Sequence, residues 1–169
     1  PGGGRFRGAD PVTRVLQAIA GAKHGGAEGF FERLVQALGR AGVEQRVVIR
    51  RDARRAELLR AAGIEPVQLE FGGWLDFATR PALKREIAAF KPQIVMTWMS
   101  RASSFCPRPN QAVPFVQVGR LGGYYKLKYF NRCKYLIGNT PDIVDYIKRQ
   151  DWLPDYAHYL PNFVDAMQG

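Results

Sequence analysis

The chain has 169 residues, 46% of them hydrophobic, and a formal charge of +10 with a pI near 10.0. Such length and apolar content suit one domain with a filled core and exclude a disordered chain. Two cysteines, Cys106 and Cys133, without CxxC spacing, exclude a disulfide scaffold or a cysteine zinc site. A positive field of this size attracts nucleic acid, phosphorylated ligands or anionic membranes, and by itself does not choose among them.

Residues 1–12 open on Pro1-Gly2-Gly3-Gly4 and lack apolar periodicity, so they read as a loose tail. Residues 14–20 are an apolar run ending in Gly21, the pattern of a buried strand. From Ala27, the apolar positions Phe30 or Phe31, Leu34, Leu38 and Ala41 recur at helical spacing, and Gly42 suits the C′ position. The alternation repeats: a strand at 45–49, a helix at 53–62 stopped by Gly63, and a short strand at 66–69. Thr79 is placed to cap a helix with Pro81 in its first turn, Leu83, Ile87 and Phe90 along its inner face, and Pro92 at its end. Strands are expected at 93–98, 114–118 and 135–138. Thr140-Pro141-Asp142 signals another helix start, and 156–160 a last strand closed by Pro161. Strands alternating with helices at this spacing predict an α/β fold with a doubly wound, Rossmann-like parallel sheet in a single domain over 13–165.

In open parallel sheets ligands bind beyond the carboxyl ends of the strands. The turn Lys23-His24-Gly25-Gly26-Ala27-Glu28 follows the first strand there. Glycines let a ligand approach the backbone, and the next helix offers its free N–H groups; a plain tight turn would use the same glycines. Glu28 suits either helix capping or ligand contact, and His24 either solvent or the ligand. A dinucleotide site is disfavoured, because the glycines are adjacent rather than staggered and the second strand ends in Arg50-Arg51. No Walker pattern GxxxxGK[ST] occurs.

A strand followed by Gly-Gly-Ala-Glu at the start of an amphipathic helix resembles the opening of GT-B glycosyltransferases of the retaining family-four type. At the other end, Ile137-Gly138-Asn139-Thr140 and Tyr159-Leu160-Pro161-Asn162-Phe163-Val164-Asp165 resemble that family's Asn-Ser/Thr strand and its Pro-Asn-Gly-Val-Asp crossover, with Phe163 in place of the glycine. The resemblance implies an N-terminal, acceptor-side half, with 166–169 as the start of the crossover to a donor domain that the sequence does not contain. The family's E-x7-E glutamates are absent with that half; Glu57 and Glu65 share the spacing but lie in unrelated places. It further implies a nucleotide-sugar donor, a glycan or glycolipid acceptor of the cell envelope, no metal, and no activity from this half alone. His24, Gly25, Gly26, Glu28, Arg120, Gly122, Gly123 and Asn139 become the acceptor- or diphosphate-facing candidates. Many relatives carry a histidine after the strand corresponding to 114–118; Gly119-Arg120-Leu121-Gly122-Gly123 holds none, so no catalytic residue is assigned.

The stretch 124–135 interleaves rings with cations. Tyr124, Tyr125, Lys126, Lys128 and Arg132 could face an anionic membrane, whereas an amphipathic helix burying Leu127 and Phe130 would explain the pattern structurally. Stacking on single-stranded nucleic acid ranks lower, since no RNA-binding signature accompanies it, and no nucleic-acid partner is expected. The expected setting is the cytoplasm, with a peripheral position on the inner face of the membrane. The rival reading from another class is a non-catalytic, Rossmann-like polyanion-binding module.

Overall fold

The computed structural model describes residues 12–22 and 25–163. His24, residues 1–11 of the expected tail and the residues after Phe163 lie outside that range. In chain order the elements are β1 (Arg14–Ile19), α1 (Gly26–Arg40), β2 (Glu44–Arg50), α2 (Ala53–Ala61), β3 (Val67–Leu69), α3 (Thr79–Phe90), β4 (Ile94–Trp98), α4 (Met99–Phe105), β5 (Val116–Leu121), β6 (Tyr135–Gly138), α5 (Pro141–Arg149) and β7 (Ala157–Tyr159). The seven strands form one sheet in the order β3-β2-β1-β4-β5-β6-β7, and every pairing is parallel. The order reverses between β1 and β4, so a crevice opens beyond their carboxyl ends.

Both sheet faces are covered, which is why the central strands are apolar in both directions. On one face Ile19, Val47 and Ile49 pack against Phe30, Phe31 and Leu34 of α1 and Leu59 of α2. On the other, Leu16, Ala18, Val48 and Val95 meet Leu83 and Ile87 of α3 and Ala102 of α4. A third cluster joins Leu121 and Leu136 to Ile143, Val144 and Ile147 of α5. Both cysteines are buried free thiols, with burial holding Cys133 up to about 12 and Cys106 higher still.

The α5 start is as the sequence implies: the Thr140 side chain accepts from the Ile143 N–H at 3.1 Å, ahead of Pro141. Three expectations need correction. The strand expected at 114–118 runs instead from Val116 to Leu121. Gly119 ends no strand; a Cβ there would lie 2.7–2.9 Å from Phe130, Cys133 and Leu136, so glycine is a packing requirement inside β5. Thr79 does not cap α3. It lies inside the helix while the Asp76 carboxylate accepts from the N–H groups of Ala78 and Thr79 and from the Thr79 hydroxyl. The aromatic stretch 124–135 forms only a short 3-10 turn, Leu127–Phe130, with Phe130 buried.

Candidate functional site

The parallel register brings Ile49, Ile19, Trp98, Arg120, Ile137 and His158 into one row, the last residues of β1 and β4 and the last but one of β2, β5, β6 and β7. The crevice above that row is bounded by the turn into α1. Gly25 precedes the helix without a side-chain cap, so among the described residues no N-cap side chain takes the first N–H groups of α1. Glu28 turns back into the turn. The residue is 7% exposed, and its carboxylate accepts from the Ala22 N–H at 2.9 Å. A Cβ on Gly21 would come within 2.6 Å of that carboxylate, and one on Gly25 within 2.2 Å. Glu28 is thus the strut of the turn, and both glycines are needed to let it fold inward.

Toward β2 and β3 the crevice widens into a cavity of about 490 Å³ lined by Gly21, Ala22, Arg50, Arg51, Asp52, Glu70 and Gly72. Three of its charges are engaged. Arg51 pairs with Glu70 at 2.8 Å, and Asp52 caps α2 by accepting from the Arg55 N–H at 2.9 Å, a bond that holds its carboxyl below the usual range. Among the described residues Arg50 makes no ion pair, and it is exposed. Below the turn, Arg55 is buried and shares the Glu32 carboxylate with Arg54 while donating to the Ala22 carbonyl. Of the arginines around α2, Arg55 is therefore a buried strut, while Arg51, Arg54 and Arg60 are paired with carboxylates nearer the surface.

Arg120 sits in β5, not in the loop after it, and is 3% exposed. Its guanidinium lies 4.6 Å from the centre of the Phe30 ring and 5.1 Å from that of Trp98, and Nη2 donates to Asn162 Oδ1 at 2.6 Å and to the Leu160 carbonyl at 3.3 Å. Burial pulls it down to about 10, so it remains a cation at neutral pH. Phe163 follows on, its ring edge-on to Phe30 at 5.0 Å and its carbonyl accepting from Arg33. The segment after β7 is thereby fastened over the first helix.

Gly122 and Gly123 continue from β5 at the crevice rim, and Asn139 follows β6, with its N–H donating to the Leu121 carbonyl at 3.3 Å. Asn139 Oδ1 is buried and has no hydrogen-bond partner among the described residues. Trp98 is core: 1% exposed, with its indole N–H donating to Gln17.

In the aromatic stretch much of the ring surface is used internally. The Tyr124 hydroxyl bonds the Asp142 carboxylate and its ring stands edge-on to Tyr146; Tyr125 leans on Phe130; Lys128 lies over Tyr129. Lys126 and Lys128 are exposed, whereas Arg132 reaches back to the Cys106 carbonyl at 2.8 Å. Sequence reasoning passed over the loop 72–78 altogether. There Trp74 and Phe77 are 86% and 77% exposed, and Leu75 stands out with them. The signal available was a glycine pair followed by large apolar residues with neither helical nor strand period.

The description Glycosyltransferase Family 4 matches residues 24–168. The lipopolysaccharide core biosynthesis glycosyltransferases LpsD and LpsE of Rhizobium meliloti (strain 1021) are 33% and 34% identical over 144 and 137 residues, which are 84% and 77% of this chain. The chain spans 41% and 38% of those two relatives. Among solved structures, Anabaena HepE in complex with UDP and glucose superposes with a TM-score of 0.66 at 14% identity, over 90% of this chain and 45% of that one. The lipopolysaccharide outer core galactosyltransferase WaaB in its apo form gives a TM-score of 0.63 at 13% identity, over 93% and 47%. The doubly wound parallel sheet is therefore that of one half of a GT-B fold, and the partial coverage of each relative fits an N-terminal half. The chain belongs to glycosyltransferase family 4.

Proposed function

We propose that this chain is the acceptor-side half of a retaining hexosyltransferase that moves a sugar from a nucleotide sugar to a lipopolysaccharide-type glycolipid at the cytoplasmic face of the membrane. The observation that carries this reading is the cavity of saccharide size beyond the ends of β1, β2 and β3, which Arg50, without an ion pair among the described residues, lines beside the turn into α1. The names of the relatives support the acceptor class, and the UDP and glucose of the HepE complex support the donor class.

In this reading the residues of the chain bind and orient, and the half alone transfers nothing. The N–H groups of Gly26 and Ala27 face the donor diphosphate, where a helix start stabilises the charge that grows on the leaving group. Glu28 holds the turn in that shape. Arg50 neutralises an anionic group of the acceptor from within the cavity, and Gly122, Gly123 and Asn139 form the opposite rim. Arg120 fastens the segment that leads toward the other half, and thereby positions the two halves rather than touching substrate. Lys126, Lys128 and Arg132 add electrostatic attraction to an anionic membrane, and the exposed Tyr124 adds an interfacial ring. No metal ion is required.

The test is transfer by the intact protein that carries this chain, assayed with a panel of nucleotide sugars on a truncated lipopolysaccharide core. One nucleotide sugar should give product with retained anomeric configuration. Absence of turnover together with absence of binding for every member of the panel would overturn the assignment.

A further inference from the structure

Between β3 and α3 the chain makes a loop whose interior is hydrogen-bonded and whose tip stands exposed. Asp76 is the centre of it. Its carboxylate accepts from the Gly72 N–H at 2.7 Å, the Ala78 N–H at 3.1 Å, the Thr79 N–H at 3.0 Å and the Thr79 hydroxyl at 2.5 Å, while its own N–H donates to the Gly73 carbonyl. At the base Phe71 is fully buried, edge-on to Phe105, and its N–H donates to Thr79. A backbone fixed this way has little freedom to fold its side chains back. Trp74, Leu75 and Phe77 are nevertheless held 86%, 65% and 77% exposed. Three large apolar side chains within four residues, kept in water by a fixed loop, mark a contact surface rather than a stray exposed residue.

The surroundings select the partner. Arg50 opens on the cavity that Gly72 also lines, Arg101 donates to the Phe71 carbonyl at 3.0 Å, and Arg80 stands in the first turn of α3; all three are exposed. The nearby carboxylates are engaged, Glu70 by Arg51, Asp52 by Arg55 and Asp76 by the loop itself. The result is an apolar tip on a cationic base. A convex tip of three side chains is far smaller than the roughly 800 Å² per partner of a stable protein interface, but it suits the headgroup boundary of a bilayer, where Trp and Phe settle and cations meet anionic lipid.

We propose that the loop 72–78 is a membrane-insertion finger, which seats Trp74, Leu75 and Phe77 in the interface of an anionic bilayer and holds the mouth of the cavity against it. This deepens the membrane part of the function proposed above. Its test reads lipid binding alone, so that failure of sugar transfer and failure of the finger are separate results.

The experiment is fluorescence of the wild-type chain minus that of Trp74→Phe, which isolates Trp74, with vesicles of phosphatidylglycerol and phosphatidylcholine carrying brominated acyl chains. The difference signal should shift to the blue and be quenched. Trp74→Ser/Leu75→Ser/Phe77→Ser should partition about a hundredfold more weakly, with an unchanged thermal melt because all three sites are exposed. Unquenched Trp74, or triple-variant partitioning equal to wild type, would overturn the proposal; the latter would leave the 124–132 cations as the membrane contact. So would protection of Trp74 from acrylamide in the intact protein before lipid is added, because the rest of the chain would then be the occupant.

Discussion

Arg120 and Arg50 both stand at the carboxyl edge of the sheet, on β5 and β2, yet one is packed beneath rings and the other opens on a cavity. Strand parity makes the difference. Trp98 and Arg120 are register partners facing α1, where Phe30 and the segment after β7 close over them. Arg50 shares the parity of Val48, away from α1, and as the last residue of β2 it clears the helices. Position in the chain near a glycine turn is therefore a poor guide to ligand contact. What decides is the face on which a strand residue falls and whether anything covers it.

That contrast can be broken by substitution. Arg120→Ala removes a buried guanidinium from two rings and leaves Asn162 Oδ1 and the Leu160 carbonyl without their donor, which should destabilise the fold by about 2–4 kcal/mol. Arg120→Lys should recover only part of this, since an ammonium cannot reproduce the planar fork between the rings. Arg50→Ala should change stability by no more than about 0.5 kcal/mol. Urea unfolding of the three variants checks this, with hydrogen exchange at 160–163 accelerated in Arg120→Ala alone. Equal losses for Arg50→Ala and Arg120→Ala would erase the distinction.

A smaller effect is expected from acid. The Thr79 hydroxyl, followed by the backbone N–H groups, holds the Asp76 carboxyl down to about 2, from an ordinary value near 3.8. A carboxyl depressed on folding contributes stability that is present above pH 3.8 and is lost as pH falls toward 2. The wild type should therefore lose melting temperature across that window, and Asp76→Asn should show a shallower loss there. Identical slopes would mean that Asp76 does not hold the loop.

Much of the fold was legible because its signals are local. The run 14–20, the Thr140-Pro141-Asp142 start and Gly42 and Gly63 after their helices, both with φ above +80°, each state their structure within a few residues. The shift of β5 was not legible, since the requirement for Gly119 arises from Phe130, Cys133 and Leu136, which meet it only in the folded sheet. Asp76 was hidden because Thr79, three residues on, is an equally good capping type by composition. Of the candidate site, the glycine turn was legible from its place after β1. The cavity was not, for it joins strand ends whose side chains are brought together by register alone.

The central claim is that the cavity beside Arg50 receives the acceptor. Acceptor saturation in the intact protein tests it most directly. Arg50→Ala should raise the acceptor KM by about tenfold, the worth of one charge-assisted contact, with kcat and the donor KM essentially unchanged. An acceptor KM that stays at the wild-type value would contradict the claim.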